Sequence, residues 1–215
     1  MNRLSAAREI CEVGRKLAAR GLIAGGEGNI GVRLDGGRVL VTPKGRAKGD
    51  LSPDDLVEVD LEGHQLRGAA LPSTELLMHL TILRARPDVH AVVHAHPPVA
   101  TGFATAGLSV DCDCIPELLA TLGRVPLVPY GMTGTGELSA QILPLLEGHD
   151  ALLLANHGAI TMGRTLEQAH LRMESMEQGA RILLVARLLG GPARLASEDV
   201  ARLDALRETM RGRQP

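Results

Sequence analysis

The chain has 215 residues, of which 45% are hydrophobic and 22% are charged, and its formal net charge is −2. This length is sufficient for one globular domain with a sizeable hydrophobic core. The slightly negative charge leaves no basic excess to neutralise nucleic-acid phosphates. With one Tyr, one Phe and no Trp, the chain also lacks stacking platforms for single-stranded nucleic acid. We therefore expect a single domain over residues 1–215 that does not bind nucleic acid.

The cysteine count and the first segment of the chain indicate a cytoplasmic protein. An odd number of cysteines, Cys11, Cys112 and Cys114, does not fit a disulfide framework. The first segment, MNRLSAAREICEVGRKLAARG, carries charges throughout and is not a signal peptide. No apolar run approaches the roughly 20 residues that a membrane span needs. The Cys112–Cys114 pair is a weak alternative metal site, because no second pair matches it.

The first third of the chain alternates between helical and strand patterns. Residues 4–20 place apolar side chains at helical spacing, and Gly21 ends this helix. A glycine-rich turn then enters a strand, and residues 38–42 form a short buried strand that Pro43 closes. Residues 55–63 alternate apolar and acidic side chains, which predicts a half-solvated strand.

The remaining elements do not alternate regularly between strand and helix. A helix is predicted over residues 75–86, with Ser73 or Thr74 as its cap, and a β-rich run follows over residues 88–96. Further helices are predicted near 116–122, 137–146, 165–189 and 197–210, and strands near 125–128 and 151–155. This order favours an α/β three-layer sandwich over a doubly wound parallel sheet.

The segment VHAVVHAHPP is the strongest signal of chemistry. Residues two apart in a strand share a face, so His94 and His96 project to the same side. The intervening positions are small and apolar, which is typical of a core face. Two imidazoles at this spacing can bind one metal ion. The pattern alone is also compatible with two polar residues that end a strand.

A second histidine-containing segment, ALLLANHGAIT, ends a hydrophobic strand at His157. The carboxyl end of a strand is where α/β sheets commonly place functional side chains, and Gly158 permits a turn or the close approach of another group. His157 alone would more often be a loop residue. Together with His94 and His96 it completes the three-histidine set of catalytic zinc sites.

Glu75 and two glycine-containing turns add an acidic group and anion-binding groups. A carboxylate at a helix start is stabilised by the helix dipole, although an isolated glutamate there is usually no more than that. Ser73 and Thr74 lie beside free amides that could bind an anion, and His79, one turn later, is either a supporting residue or a surface residue. The turns GGEGN and TPKG match neither a Walker sequence nor a dinucleotide fingerprint. They offer exposed amides and the positive charge of Lys44 to a phosphate.

The ordered segments GGEGNIGVR, VTPKG, LPSTELLMH, VVHAHPP, VPLVPYG and LLLANHGAIT resemble those of the class II aldolase/adducin-domain family, whose enzymes include L-fuculose-1-phosphate aldolase. The resemblance covers about residues 7–189. It implies a three-layer α/β/α fold with a largely antiparallel central sheet. It also implies a homotetramer with active sites between subunits, one zinc ion per subunit with manganese or cobalt as alternatives, and a sugar-phosphate substrate.

The resemblance assigns roles to residues of this chain. His94, His96 and His157 would bind the metal, and Glu75 would be a fourth ligand that leaves the metal when substrate arrives and then acts as the base. The residues implied in holding phosphate are Gly28, which shapes the turn, Asn29, Lys44, Gly45, Ser73 and Thr74.

A glutamate at position 75 resembles the aldolases of the family, since the epimerases typically have aspartate there. We therefore expect a metal-dependent aldolase that cleaves a ketose 1-phosphate, similar to fuculose 1-phosphate, into dihydroxyacetone phosphate and an aldehyde. Ile115 stands where the fuculose enzyme has a tyrosine, the tail has no tyrosine, and Lys44 replaces a small hydroxyl residue. These departures leave the aldehyde and the general acid open. The alternatives are a sugar-phosphate 4-epimerase, dehydratase or decarboxylase, and a non-catalytic adducin-like domain.

Overall fold

The fold is built around an eight-stranded sheet. In the computed structural model, residues 1–213 are described, with side chains up to Met210, so the last residues of the predicted domain lie outside the described part. The strands are β1 (Asn29–Arg33), β2 (Arg38–Val41), β3 (Val57–Asp60), β4 (Gln65–Arg67), β5 (Ala91–Ala95), β6 (Leu127–Val128), β7 (Ala151–Leu154) and β8 (Gly158–Gly163).

The strands follow the order β4-β3-β2-β1-β5-β8-β7-β6. Neighbouring strands are antiparallel, except that β6 runs parallel to β7. The parallel pair arises because the chain returns from β6 to β7 through a helical connection, not through a hairpin. The predicted α/β class is confirmed, whereas the sheet, which the resemblance implied to be largely antiparallel, is mixed.

Seven α-helices surround the sheet within the described residues. They are α1 (Arg3–Ala19), α2 (Leu76–Ala85), α3 (Pro98–Thr105), α4 (Pro116–Leu122), α5 (Gly136–Ile142), α6 (Leu166–Leu188) and α7 (Ser197–Arg213). Helix α6 begins after Thr165, whose hydroxyl accepts a hydrogen bond from the amide of Gln168. None of the helices described is long and apolar enough to span a bilayer.

Both faces of the sheet are covered by apolar cores. On β5, Ala91 and Val93 join a cluster with α1, α3, α4 and α6, whereas Val92 joins a cluster with α2 and α5. This alternation follows from the two-residue period of a strand. The middle of β5 is therefore buried on both sides, and polar side chains can reach open space only at its carboxyl end.

Three sequence-based boundaries differ from the structure. Pro53 opens a 3-10 turn closed by reciprocal bonds between Ser52 and Asp55, so the strand predicted over residues 55–63 shortens to β3. Pro98 does not simply end β5 but starts α3, a helix that the sequence analysis missed, because proline is well suited to a first helical position. The third difference concerns the start of α2 and affects the site described next.

Candidate active site

His94 and His96 lie side by side at the carboxyl end of β5. Their Nε2 atoms are 3.1 Å apart. His94 is the last but one residue of the strand and is fully buried, while His96 follows the strand and keeps 24% of its side chain exposed. The His94 ring thus lies at the buried side of the site, and the His96 ring lies at its solvent-exposed side.

His157 reaches the same place from the turn between β7 and β8. Asn156 adopts the left-handed conformation with φ of 57° and reverses the chain. The His157 ring centroid then lies 4.7 Å from that of His94 and 5.1 Å from that of His96. One ligand atom from each of the three histidines lies within 4.8 Å of the others, so the structure brings the predicted metal ligands together.

Glu75 lies against two of these histidines. Its Oε2 is 3.2 Å from Nε2 of His94, and its Oε1 is 3.2 Å from Nε2 of His157. The prediction that Ser73 or Thr74 caps α2 is wrong, because Glu75 itself occupies the N-cap position and makes no side-chain capping bond. The carboxylate turns toward the imidazoles and not back onto its own helix.

The second nitrogen of each paired imidazole orients the ring. His94 Nδ1 donates to the carbonyl of Ala159 over 2.9 Å, and His96 Nδ1 lies 3.5 Å from Oε2 of Glu27. These partners leave the Nε2 lone pairs of His94 and His96 directed at one another and at a carboxylate. Such groups repel unless a proton or a cation lies between them. The donor set therefore fits a divalent cation, with imidazole nitrogens and a carboxylate as ligands.

Electrostatics favour the metal-binding protonation states of His157, His96 and Glu75. Burial lowers the pKa of His157 to about 4, and the interaction with His94 acts in the same direction. Burial likewise lowers the pKa of His96. Burial opposes ionisation of Glu75, but its hydrogen bond and charge interaction with His94, then His157 and Asn29, lower its pKa well below the usual range. Neutral imidazoles and an ionised carboxylate are the forms that bind metal.

Asn29 and Gly28 lie at the edge of this group. Asn29 starts β1 directly opposite His94, and its Nδ2 donates to Oε2 of Glu75 over 2.7 Å. Gly28 has a φ of 67°, and a Cβ there would lie 2.8 Å from the carbonyl oxygen of His94. A residue with a side chain would therefore push the turn away from β5.

The other predicted phosphate residues lie on two neighbouring segments. The amide of Lys44 donates to the carbonyl of Leu71 over 2.9 Å, and the amide of Ser73 donates to the carbonyl of Thr42 over 3.2 Å. These bonds hold the segment 42–45, which includes Gly45, against the segment 71–74, which includes Thr74 and leads into Glu75.

Two polar residues near the site are buried, and one of them, Lys48, was not identified from the sequence. Lys48 is only 3% exposed, and its Nζ donates to the carbonyls of Gly26 and Arg46 over 2.6 and 2.8 Å. Burial lowers its pKa, and the charge of Glu75 opposes that shift. His79 is 1% exposed, so of its two predicted alternatives, a supporting residue or a surface residue, the second is wrong.

The alternative metal site at Cys112 and Cys114 is not supported. Their thiols donate to the carbonyls of Val110 and Asp111, and burial raises the pKa of Cys112 to about 12. In the part of the chain that the structure describes, the group with metal-ligand spacing is the histidine triplet.

Known proteins resemble this chain in both sequence and fold. The family model described as "Class II Aldolase and Adducin N-terminal domain" matches residues 8–184. The 5-methylthioribulose-1-phosphate/5-deoxyribulose-1-phosphate aldolase of Rhodospirillum rubrum is 39% identical over 168 residues, which cover 78% of this chain and 75% of the relative. The 3-oxo-tetronate 4-phosphate decarboxylase of Escherichia coli is 34% identical over 181 residues, which cover 82% and 85%. The structure of L-fuculose-1-phosphate aldolase from Thermus thermophilus matches with a TM-score of 0.75 and 36% identity, over 90% of this chain and 100% of that chain.

Proposed function

Because the chain belongs to the class II aldolase and adducin family, we propose that it is a metal-dependent lyase that reversibly cleaves a ketose 1-phosphate into dihydroxyacetone phosphate and an aldehyde. The observation that carries this proposal is the approach of Glu75 to within 3.2 Å of two imidazoles of the histidine triplet. A largely buried carboxylate that faces imidazoles is suited to binding a cation and moving a proton.

His94, His96 and His157 would hold the cation, with Glu75 as a fourth ligand in the absence of substrate. We propose zinc, with manganese or cobalt as alternatives, because imidazole and carboxylate ligands suit all three. When bound, such an ion supplies Lewis acidity toward carbonyl and hydroxyl oxygens.

The chain's own residues bind the substrate phosphate and transfer a proton. Backbone amides of the two glycine turns, the hydroxyls of Ser73 and Thr74 and the ammonium of Lys44 provide donors and charge for a phosphate. Fixing the phosphate there places the rest of a short sugar beside Glu75.

In the cleavage direction, the hydroxyl on C4 loses a proton, the bond between C3 and C4 breaks, and C3 gains a proton to complete dihydroxyacetone phosphate. We assign the proton transfer at C3 to Glu75. A carboxylate is a weak acid at neutral pH, so proton donation requires that its contacts with His94 and His157 loosen when substrate binds.

Decarboxylation is the second candidate, because the relative that is 34% identical carries that activity. Lys44 would provide an additional positive charge for a substrate with both a phosphate and a carboxylate. Epimerisation and dehydration at the same site are less well supported, since Glu75 resembles the aldolases. Retention of all three histidines and Glu75 disfavours a non-catalytic adducin-like domain.

We also propose that the protein is a cytoplasmic homotetramer and that the whole chain acts as one domain, a three-layer sandwich. Exposed leucines at the end of α6, where Leu188 and Leu189 are 80% and 82% exposed, support contacts between subunits. Free thiols at all three cysteines support a reducing compartment.

The test is metal analysis of the purified protein, followed by incubation with candidate phosphates. L-Fuculose 1-phosphate, 5-deoxyribulose 1-phosphate and 5-methylthioribulose 1-phosphate would be supplied separately, and dihydroxyacetone phosphate would be detected by a coupled reduction. Carbon dioxide release from 3-oxo-tetronate 4-phosphate would identify the decarboxylase instead.

His94→Ala should lose both metal and turnover, whereas His90→Ala, which changes an exposed histidine just before β5, should retain both. Full activity of the wild-type protein after complete removal of metal by a chelator would contradict the proposal.

A further inference from the structure

His79 is a buried histidine that contacts the site through Asn29, the last residue of the GGEGN turn. The Nε2 atom of His79 is hydrogen-bonded to Oδ1 of Asn29, and the Nδ2 atom of Asn29 donates to Oε2 of Glu75. We propose that His79 is a positioning residue that fixes the orientation of the Asn29 amide and, through it, the position of the Glu75 carboxylate. This inference rests on the proposed function only in taking Glu75 as the working carboxylate.

The direction of each hydrogen bond follows from the atoms involved. An amide oxygen can only accept, so the proton lies on Nε2 of His79. The amide nitrogen of Asn29 is then the atom left to face Glu75, which as a carboxylate needs a donor. If the amide rotated by half a turn, its oxygen would face the carboxylate and repel it. His79 therefore selects the one orientation of Asn29 that stabilises Glu75.

Packing alone does not require a histidine at this position. The other buried residues of α2 are Met78, Leu80, Ile82 and Leu83, all apolar. Burying an imidazole among them is unfavourable unless its polar atoms are bonded, and its Nδ1 has no protein partner. Among the described residues, the contact with Asn29 is thus the one hydrogen bond of this ring.

The neighbouring strand is shaped to admit the ring. Gly31 lies two residues after Asn29 on β1, and a Cβ there would lie 2.7 Å from Nδ1 of His79. The imidazole can approach Asn29 only because this position has no side chain.

The two carboxylate oxygens of Glu75 have different partners, and this difference gives the hydrogen bond from Asn29 a role in catalysis. Oε2 accepts from Asn29 and lies near His94, while Oε1 faces His157 and has no hydrogen-bond partner. Holding Oε2 from the Asn29 side fixes the rotation of the carboxylate and so keeps Oε1 against His157. Loss of the Asn29 bond would let the carboxylate rotate and would lower the fraction of molecules ready for proton transfer.

The test compares His79→Leu with His79→Gln in the full-length, zinc-loaded protein. Leucine keeps the apolar volume but has no donor, whereas the side-chain amide of glutamine places an N–H close to the position of the imidazole Nε2. His90→Gln is the matched control, because it makes the same chemical change at an exposed histidine outside the site.

With the sugar phosphate that the wild type cleaves, His79→Leu is expected to lower kcat by roughly 10- to 100-fold, the range for loss of a hydrogen bond to a charged group. KM and zinc content should change by less than about threefold, because Lys44, Ser73, Thr74 and the histidine triplet are not altered. His79→Gln should recover most of the lost kcat. Equal kcat loss in both His79 variants, or wild-type kcat in His79→Leu, would overturn the proposal.

A readout independent of turnover separates this inference from the proposed function. In the metal-free protein, the side-chain amide signals of Asn29, assigned with Asn29→Asp, should shift in His79→Leu and stay near their wild-type positions in His79→Gln. If the wild type cleaves no sugar phosphate but these signals behave as expected, the proposed function fails and the inference stands. Unshifted Asn29 signals in a folded His79→Leu protein would overturn the inference. If His79→Leu does not fold, shifted Asn29 signals in His79→Gln would overturn it.

Discussion

Gly158→Ala is expected to weaken metal binding, although the residue has no side chain and is not a ligand. A Cβ at this position would lie 2.6 Å from Cδ2 of His96 and 2.7 Å from the carbonyl oxygen of Ala95. Both distances are shorter than carbon and oxygen atoms tolerate, and the second contact is with backbone that is paired in the sheet. Either the His96 ring moves, or β8 separates from β5.

The expected size follows from these two responses. Forcing a methyl group into a packed interior costs about 1–3 kcal/mol of folding free energy. Displacing an oriented metal ligand typically lowers metal affinity by roughly 10- to 100-fold. Because the clash involves His96 directly, we expect zinc affinity to fall by more than the loss of folding free energy alone would cause.

Gly102→Ala is the matched control, since it adds the same methyl group inside α3, where no atom lies within 4 Å. It should stabilise the protein by about 0.5–1 kcal/mol, the usual gain of alanine over glycine in a helix. Zinc affinity would be measured by competition with a chromophoric chelator, and stability by denaturant unfolding of the metal-free proteins. Zinc affinity equal to wild type in Gly158→Ala would refute the close approach on which the site geometry depends.

Three further predictions test other parts of the site. Glu75→Gln should retain zinc but lose turnover by roughly 100-fold or more, the scale expected for a general base, as measured by metal analysis and the coupled assay. Lys48→Met leaves the carbonyl of Gly26 without its donor and should lower the free energy of unfolding by about 1–3 kcal/mol in denaturant titrations. Burial lowers the pKa of His79 to about 3 in the folded protein. Below a pH of about 6.5, the unfolded chain therefore binds a proton at His79, whereas the folded chain does not. Stability of the metal-free protein should therefore fall as the pH is lowered from about 6.5 toward 4.5, with a slope of up to about 1.4 kcal/mol per unit from this residue, and His79→Leu should reduce that slope in thermal unfolding.

The convergence of the histidines was predictable because local rules determine most of it. Alternation in a strand places His94 and His96 on one face of the sheet. A hydrophobic strand that is followed by His157 places that ring at the end of the strand. Glu75 was predicted from its place at a helix start, although its exact position is one residue before the first turn.

The burial of His79 and Lys48 could not be predicted from their own neighbourhoods. A histidine one turn after Glu75 and a lysine in a polar loop both match patterns of solvent-exposed residues. What buries them lies far away in the chain: Gly31 makes room for the imidazole, and Gly14 of α1 packs against the backbone of Lys48, with a virtual Cβ only 2.2 Å from its carbonyl oxygen. Such contacts depend on strand register and helix packing, which sequence periodicity does not determine.

The precision of the site depends on close approaches of backbone as much as on the side chains that carry its chemistry. Gly28 lets the first turn contact the His94 carbonyl, and Gly158 lets β8 lie against His96. Each glycine belongs to a different segment from the histidine that it accommodates, so the three imidazoles are placed by tertiary packing and not by their own strands alone. A chain that kept every histidine and Glu75 but replaced these glycines would therefore retain the motif and lose the geometry that binding one cation requires.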